Sequence, residues 1–334
     1  MPVTLGVCVD VRSVDPTLSR AVSSWVVVMS DMRPVDGTSS SATHDWGNRR
    51  PLARFVQSRK SMGWLVLMSA LTVVGAVGVL VNVNQLRLQR RVEGEMGALF
   101  RSTSSSKPRP VDALPPPAAR YRELAIGERA PVHTLKLRHA GTFCMSPTAE
   151  PQPIRGTQLF IANPPGFVWS AQVRMYPGLW VDARDMAANG VGSMRVLLDS
   201  TLTLADARGP EIDQGSALRL LAEMVWFPTA LFDSRYVTWS AVDATHAVAT
   251  LRFGEREVSA TFEFGPDGLP ARVTAERAMD KRGLQPWGGT YRDWRKVSGM
   301  LVPFEATVSW HLQAGPFVYA HWLIEAMDYD VTGP

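Results

Sequence analysis

An uninterrupted apolar run, GWLVLMSALTVVGAVGVLVNV from Gly63 to Val83, constrains this chain more than any other stretch. It carries no charge, and its polar members, Ser69, Thr72 and Asn82, are mild. About 20 residues at ~1.5 Å per residue match the ~30 Å hydrocarbon core of a bilayer, so the run predicts one membrane-crossing helix. Basic residues flank it, Arg59 and Lys60 on one side, Arg87, Arg90 and Arg91 on the other. A secretory signal peptide is the alternative. The run is longer than the ~7–15 apolar residues such peptides use, and no Ala-x-Ala cleavage site follows it. The flanking positive charges nearly balance, and a start at Met62 would remove those on the N-terminal side. The positive-inside rule therefore leaves open which side of the membrane the rest of the chain occupies.

The formal net charge of the 334 residues is +4, but it is unevenly placed. Residues 120–334 hold 21 Lys and Arg against 23 Asp and Glu, while the first 119 residues hold 14 against 8. The positive charge thus belongs to the segment around the apolar run, where lipid head groups would meet it. No basic stripe with interleaved aromatics occurs in the C-terminal part, which argues against nucleic acid. Cys8 and Cys144 stand far apart with no metal-type spacing and cannot form a disulfide within one domain.

Four segments are expected. Residues 1–61 read as a disordered tail or an over-extended start, 62–84 as the transmembrane helix, and 85–117 as a juxtamembrane helix followed by a Ser/Pro-rich linker. Residues 118–334 read as a β-rich soluble domain. In that domain EVSATFEF puts Val258, Ala260, Phe262 and Phe264 on one face, and FEATVSWH does the same with Phe304, Ala306, Val308 and Trp310. Period two means strands with one wet face. Turn signals such as Asn163-Pro-Pro-Gly166, Asn189-Gly190, Gly254-Glu255 and Gly265-Pro-Asp-Gly268 separate them, as antiparallel hairpins require. One helix interrupts the strands: Leu218, Leu221, Ala222, Val225 and Trp226 form an apolar stripe, with Asp213 as its expected N-cap and Pro228 as its stop. The fold class that follows is mainly β (α+β): a curved antiparallel half-barrel with a helix on its concave face, preceded by one transmembrane helix.

Catalytic signatures are sparse. His133, His139, His246, His311 and His321 form no H-x-x-x-H or H-E-x-x-H pair, and there is no G-x-S-x-G, Walker loop or G-x-G-x-x-G. The sequence implies no cofactor, no metal and no catalytic residue. Asp182 and Asp185 are a possible carboxylate pair, but a separation of three places them on opposite faces of a strand. Arg219 and Glu223, four apart on the helix, read either as a surface ion pair or as groups facing a cavity. Eight tryptophans (Trp169, Trp180, Trp226, Trp239, Trp287, Trp294, Trp310 and Trp322) lie in the domain, either as core or as the lining of an apolar cavity.

The stretches ANPPGFVWSA (162–171), DARDMAANGVGSM (182–194), GPEIDQGSALRLLAEMVWFPTAL (209–231), VTWSAVDATHAVATL (237–251) and PWGGTYRDW (286–294), with LPPPAARY (114–121) and RHAGTF (138–143), resemble a bacterial membrane-anchored family known only as a domain of unknown function. The LAEMVWFPTAL block is the most specific part. The resemblance implies no catalytic residues, and its layout suggests the half-barrel of the bacterial lipoprotein carriers, in which a helix-lidded apolar cavity takes acyl chains. Where the family pattern has a tyrosine after an arginine, this chain has Leu220 and Ala278.

Together these readings point to a non-catalytic, single-pass protein of the bacterial cytoplasmic membrane that contacts the bilayer through residues 63–83 and binds an apolar or lipid-like ligand. Trp169, Trp226, Phe227, Trp239 and Trp310 are the expected binders, with Arg219 and Glu223 orienting a head group. Protein partners are not legible. The rivals are a hydrolase-type enzyme using Glu223, Asp185 or a histidine, and an envelope scaffold with an exposed apolar patch.

Overall fold

The computed structural model describes residues 53–127, 130–279 and 283–333. The expectation for the N-terminal tail falls outside the described residues as far as residue 52; from Ala53 the backbone is helical. Helix α1 (Ala53–Arg101, 49 residues) contains the apolar run. Its most apolar 18-residue window has a mean hydropathy of 2.4 and none of it is buried, so by length and composition α1 can cross a membrane. Asn82 and Thr72 return their side chains to the carbonyls of Gly78 and Met68 one turn back, which hides their polarity within the helix.

The chain from Gln85 onward is one compact unit. Its sheet has thirteen strands: β1 (Thr134–Phe143), β2 (Gln152–Ala162), β3 (Pro165–Tyr176), β4 (Leu179–Ala188), β5 (Val191–Leu198), β6 (Leu202–Ala207), β7 (Val237–Ala241), β8 (His246–Phe253), β9 (Arg256–Phe264), β10 (Pro270–Ala278), β11 (Leu284–Val297), β12 (Met300–Leu312) and β13 (Gly315–Tyr329). All pairings are antiparallel, in the order β6-β5-β4-β3-β2-β1-β13-β12-β11-β10-β9-β8-β7. The chain therefore walks outward from β1 to one edge, crosses to the other edge, and walks back until β13 closes on β1. The result is a curled antiparallel half-barrel.

The crossing is made by helix α3 (Pro210–Glu223), a 3-10 turn (Met224–Trp226) and the short helix α4 (Pro228–Leu231). Two details differ from the sequence expectation. The helix begins at Pro210, whose ring presets φ for a first turn, with Gly209 at the N-cap. Asp213 lies one turn inside and accepts from the Gly192 N–H (2.8 Å) while pairing with Arg256 (3.2 Å), so it joins β5 to β9. Pro228 opens the next helix, α3 having already tightened into the 3-10 turn. Burial on α3 is also wider than one stripe, because the sheet curls around it: Ser216, Ala217, Leu218, Leu220, Leu221, Ala222 and Glu223 are all buried. Its C-terminal carbonyls are satisfied by tyrosines from the sheet, Tyr291 on the Ala222 carbonyl and Tyr329 on the Trp226 carbonyl, each at 2.7 Å.

Helix α2 (Pro116–Ile126) continues the proline run, buries Tyr121 and packs near β12. On the opposite face of the sheet, Val92, Met96 and Leu99 of α1 pack against Leu159, Ile161 and Val168 of β2 and β3. Glu95 pairs there with Arg184 of β4 at 3.2 Å. β2 and β3 are thus covered on both faces.

The β4–β5 turn uses Asn189 and Gly190 at φ 52° and 81°, the two positive φ values a two-residue hairpin turn demands. Gly190 touches Gly254 of the β8–β9 turn, and a Cβ on Gly190 would lie 2.9 Å from the Gly254 Cα. Two hairpins from opposite halves of the sheet meet at this point. Gly178 shares the positive φ (79°) but faces open space. Gly178→Ala is therefore expected to cost only the left-handed backbone penalty, roughly 1–2 kcal/mol. Gly190→Ala should cost clearly more, and denaturant unfolding of the two variants measures the difference. Equal losses would show that the hairpin contact contributes nothing.

Candidate functional site

Between α3 and the inner face of the sheet lies a cavity of about 110 Å³. That is several times the ~10–15 Å³ needed to seat one water. Its wall is mostly apolar: Trp169, Trp226, Trp287, Trp322, Phe143, Met145, Ile154, Met194 and a series of valines. Strands β1–β5 and β10–β13 all contribute to the wall. β3 presents Trp169 and Val173, β4 Val181 and Asp185, β11 Trp287 and Tyr291.

Five polar residues meet on one side of the cavity, three of them (Asp185, Arg219 and Glu223) on its wall. Arg219 donates from Nε to Glu223 Oε1 (2.8 Å), from Nη1 to Asp185 Oδ2 (2.9 Å) and from Nη2 to Gln158 Oε1 (3.2 Å). Gln158 donates to Glu223 Oε2 (2.8 Å), and Ser216 donates to Asp185 Oδ1 (3.3 Å). The guanidinium lies 4.6 Å from the Trp169 ring and 4.9 Å from that of Phe167. Burial pushes the Glu223 carboxyl above its usual range, against the pull of Arg219 and the Gln158 amide. The helix therefore carries a closed polar node into the cavity wall, with all four carboxylate oxygens occupied.

Beside the node, His139 accepts from Trp169 Nε1 at 2.8 Å and meets the Trp322 ring edge-on at 4.6 Å. Gly156 makes room for the imidazole, since a Cβ there would lie 2.5 Å from its Nε2. Burial, with the Arg219 charge next, lowers the His139 pKa to about 3 from an ordinary 6.5. The ring is neutral, with its acceptor nitrogen facing Trp169. A second arginine, Arg277 of β10, also lines the cavity, with Nη1 3.3 Å from the Tyr319 hydroxyl and its Cζ 5.0 Å from the Trp287 ring.

Of the residues expected to form the site, Trp169, Arg219, Glu223 and Trp226 lie together on the cavity wall. Phe227, Trp239 and Trp310 lie off it. Phe227 follows the 3-10 turn and packs on Phe160 at 4.8 Å. Trp239 stacks on Phe232 and donates to the Leu231 carbonyl. Trp310 is fully buried beside Tyr319. Asp182 and Asp185 face opposite sides: Asp182 accepts from Trp180, Gln172 and Ser200 away from the cavity. Sequence reasoning missed Arg277 and Tyr319 as wall residues, and Gln158 and His139 as the groups that bond to Arg219, Glu223 and Trp169 of the wall. Parity was the available signal for Gln158, a polar residue on the inner face between Gly156 and Phe160.

Removing Arg219 would leave two buried carboxylates without their cation. Arg219→Met should cost about 3–5 kcal/mol at neutral pH, with the deficit shrinking in acid as the Glu223 carboxyl, pushed up by burial, takes up a proton. Unfolding at pH 7 and pH 5 tests this. His139 gives a second signature. Unfolded histidine binds a proton below about pH 6.5, and the folded ring does not until about 3. Across that window the unfolded state holds more protons, so stability falls as pH drops. Between pH 7 and 4 the wild type should lose about 2–3 kcal/mol more than His139→Gln, whose amide oxygen can still accept from Trp169.

The sequence profile of a family of unknown function, DUF6544, matches residues 104–322. Among solved structures, the chain is similar to a LolA-superfamily protein from Nitrosomonas europaea, at TM-score 0.35 and 13% identity over 64% of this chain and 91% of that one. It is also similar to a β-barrel-like protein of the DUF1849 family from Brucella abortus, at TM-score 0.26 and 10% identity over 60% of this chain and 100% of that one. No curated protein matches it. The profile runs from the segment before α2 into β13 and takes in the whole cavity wall; the chain belongs to the family of unknown function DUF6544.

Proposed function

We propose that this protein is a non-catalytic, membrane-anchored binding module for an apolar or lipid-like ligand. Residues 62–84 would cross the bacterial cytoplasmic membrane once, residues 85–117 would connect the anchor to the domain, and residues 118–334 would hold the ligand. The single observation that carries the reading is the tryptophan-walled cavity under α3. Apolar walls offer water no hydrogen bonds, so an apolar guest gains what water cannot. Trp169 and Trp226 would contact it directly. Arg219 and Glu223 bond each other, Gln158 and Asp185, and so shape the wall. Trp64, Leu65 and Val74 on α1, each about two-thirds exposed, support the anchor, because such surface is stable in lipid and costly in water.

The convergence of Asp185 and Glu223 on one wall favours a second reading, a hydrolase-type enzyme. Their shared pairing with Arg219 favours binding: a carboxylate held by a guanidinium is poorly placed to take a substrate proton.

Native mass spectrometry of the chain shortened to residues 85–334, purified without detergent, tests the first reading. A co-purifying lipid mass that leaves on denaturation is expected; a bare mass that gains nothing when lipids are added would sink it. Deleting residues 63–83 should move the protein from the membrane fraction to the supernatant, and persistence in membranes would refute the anchor.

A further inference from the structure

We propose that the cavity takes an amphiphile with an anionic head, a carboxylate or phosphate monoester, and that Arg277 with Tyr319 is its head-group site. The inference rests on the apolar-ligand reading and deepens it. Arg277 and Arg184 are the two arginines more than nine-tenths buried among the described residues. Arg184 has Glu95 at 3.2 Å. Arg219, at the other polar point of the wall, has Asp185 and Glu223. Arg277 is 7% exposed and, among the described residues, no carboxylate lies within ion-pair distance of it. The neighbouring Glu276 points outward and is exposed.

What surrounds Arg277 is a set of donors. Tyr319 Oη accepts from Arg277 Nη1 at 3.3 Å and from Trp287 Nε1 at 3.0 Å. With its oxygen receiving two protons, the Tyr319 O–H is left to donate. The other face of Arg277 lies against α3 at Gly215, where a Cβ would come within 3.1 Å of Nε and 3.3 Å of Nη2. The guanidinium is sandwiched between that helix and the Trp287 and Trp310 rings, 5.0 and 5.8 Å from its Cζ. Aromatic faces offset part of the cost of burying a cation. They do not supply the acceptor oxygens that its N–H groups and the Tyr319 hydroxyl are arranged to meet. Donors converging on an apolar cavity complement one negative head on an apolar tail.

The test uses the full-length chain in a neutral detergent, with oleate and oleyl alcohol as probes that share a tail and differ in head charge, read by native mass spectrometry. Wild type should retain oleate at least about tenfold better than oleyl alcohol. Arg277→Gln should abolish that preference by lowering oleate retention toward that of oleyl alcohol, and Arg277→Lys should keep part of it. Equal binding of the two probes by wild type, or an unchanged preference in Arg277→Gln, overturns the head-group site and leaves the apolar cavity standing. Binding of neither probe overturns the apolar-ligand reading and this inference with it. Displacement of oleate by acetate or inorganic phosphate at matched concentration would show a plain anion site and overturn the amphiphile. Dodecyl phosphate in place of oleate separates a phosphate-selective site from a carboxylate-selective one, and either preference supports the proposal. Should Arg277→Gln fail to fold, the wild-type comparison of the two heads still decides.

Discussion

A helix enclosed by a sheet must find partners for the polar atoms it carries, and α3 organises the molecule through that demand. Gln214 exchanges hydrogen bonds with the β10 backbone, donating to the Glu276 carbonyl and accepting from the Ala278 N–H. Asp213 holds β5 and β9, and Arg219 gathers β2 and β4. Tyr291 and Tyr329 reach from β11 and β13 to the carbonyls at its C-terminal end. Strands far apart in sequence are therefore set against one another by bonds to a single element.

The same arrangement explains why the interior tolerates free space. Packing alone would disfavour a 110 Å³ cavity by about 2–3 kcal/mol, at roughly 24 cal/mol per Å³. Collapse would need α3 to move toward the sheet, and the ionic and amide contacts hold it at a fixed height. Buried ion pairs add little net stability against an apolar alternative, yet they are severe about geometry. Here they keep the wall open.

Much of this architecture could be read from residue order. Alternation in β8, β9 and β12, the glycine turns and the existence of α3 all follow from local pattern. β2 was harder: LFIA at 159–162 is apolar at successive positions, because α1 covers its outer face while the cavity side is also dry. Only the partner helix reveals which of those residues point inward. The tryptophans divided for a similar reason. Trp169 and Trp226 lie on the wall, whereas Trp239 found a stacking partner in Phe232 and a carbonyl in Leu231, contacts made by residues no periodicity links. Arg277 was invisible because β10 reads PARVTAERA, with arginines on both faces; burial alone separates Arg277 from Arg272.

The pairing of β1 with β13 has a consequence for how the molecule is completed. Leu135 meets Tyr329 and Phe143 meets Ala320, so the first strand made waits for the last. Until then the half from β1 to β6 has two unpaired edges instead of one, and its apolar inner face has no opposite wall. Loss of the final fifteen-residue strand would thus remove no margin. It would open the sheet at its middle, between its two halves, and the chain's C-terminal end acts as the piece that locks an arch.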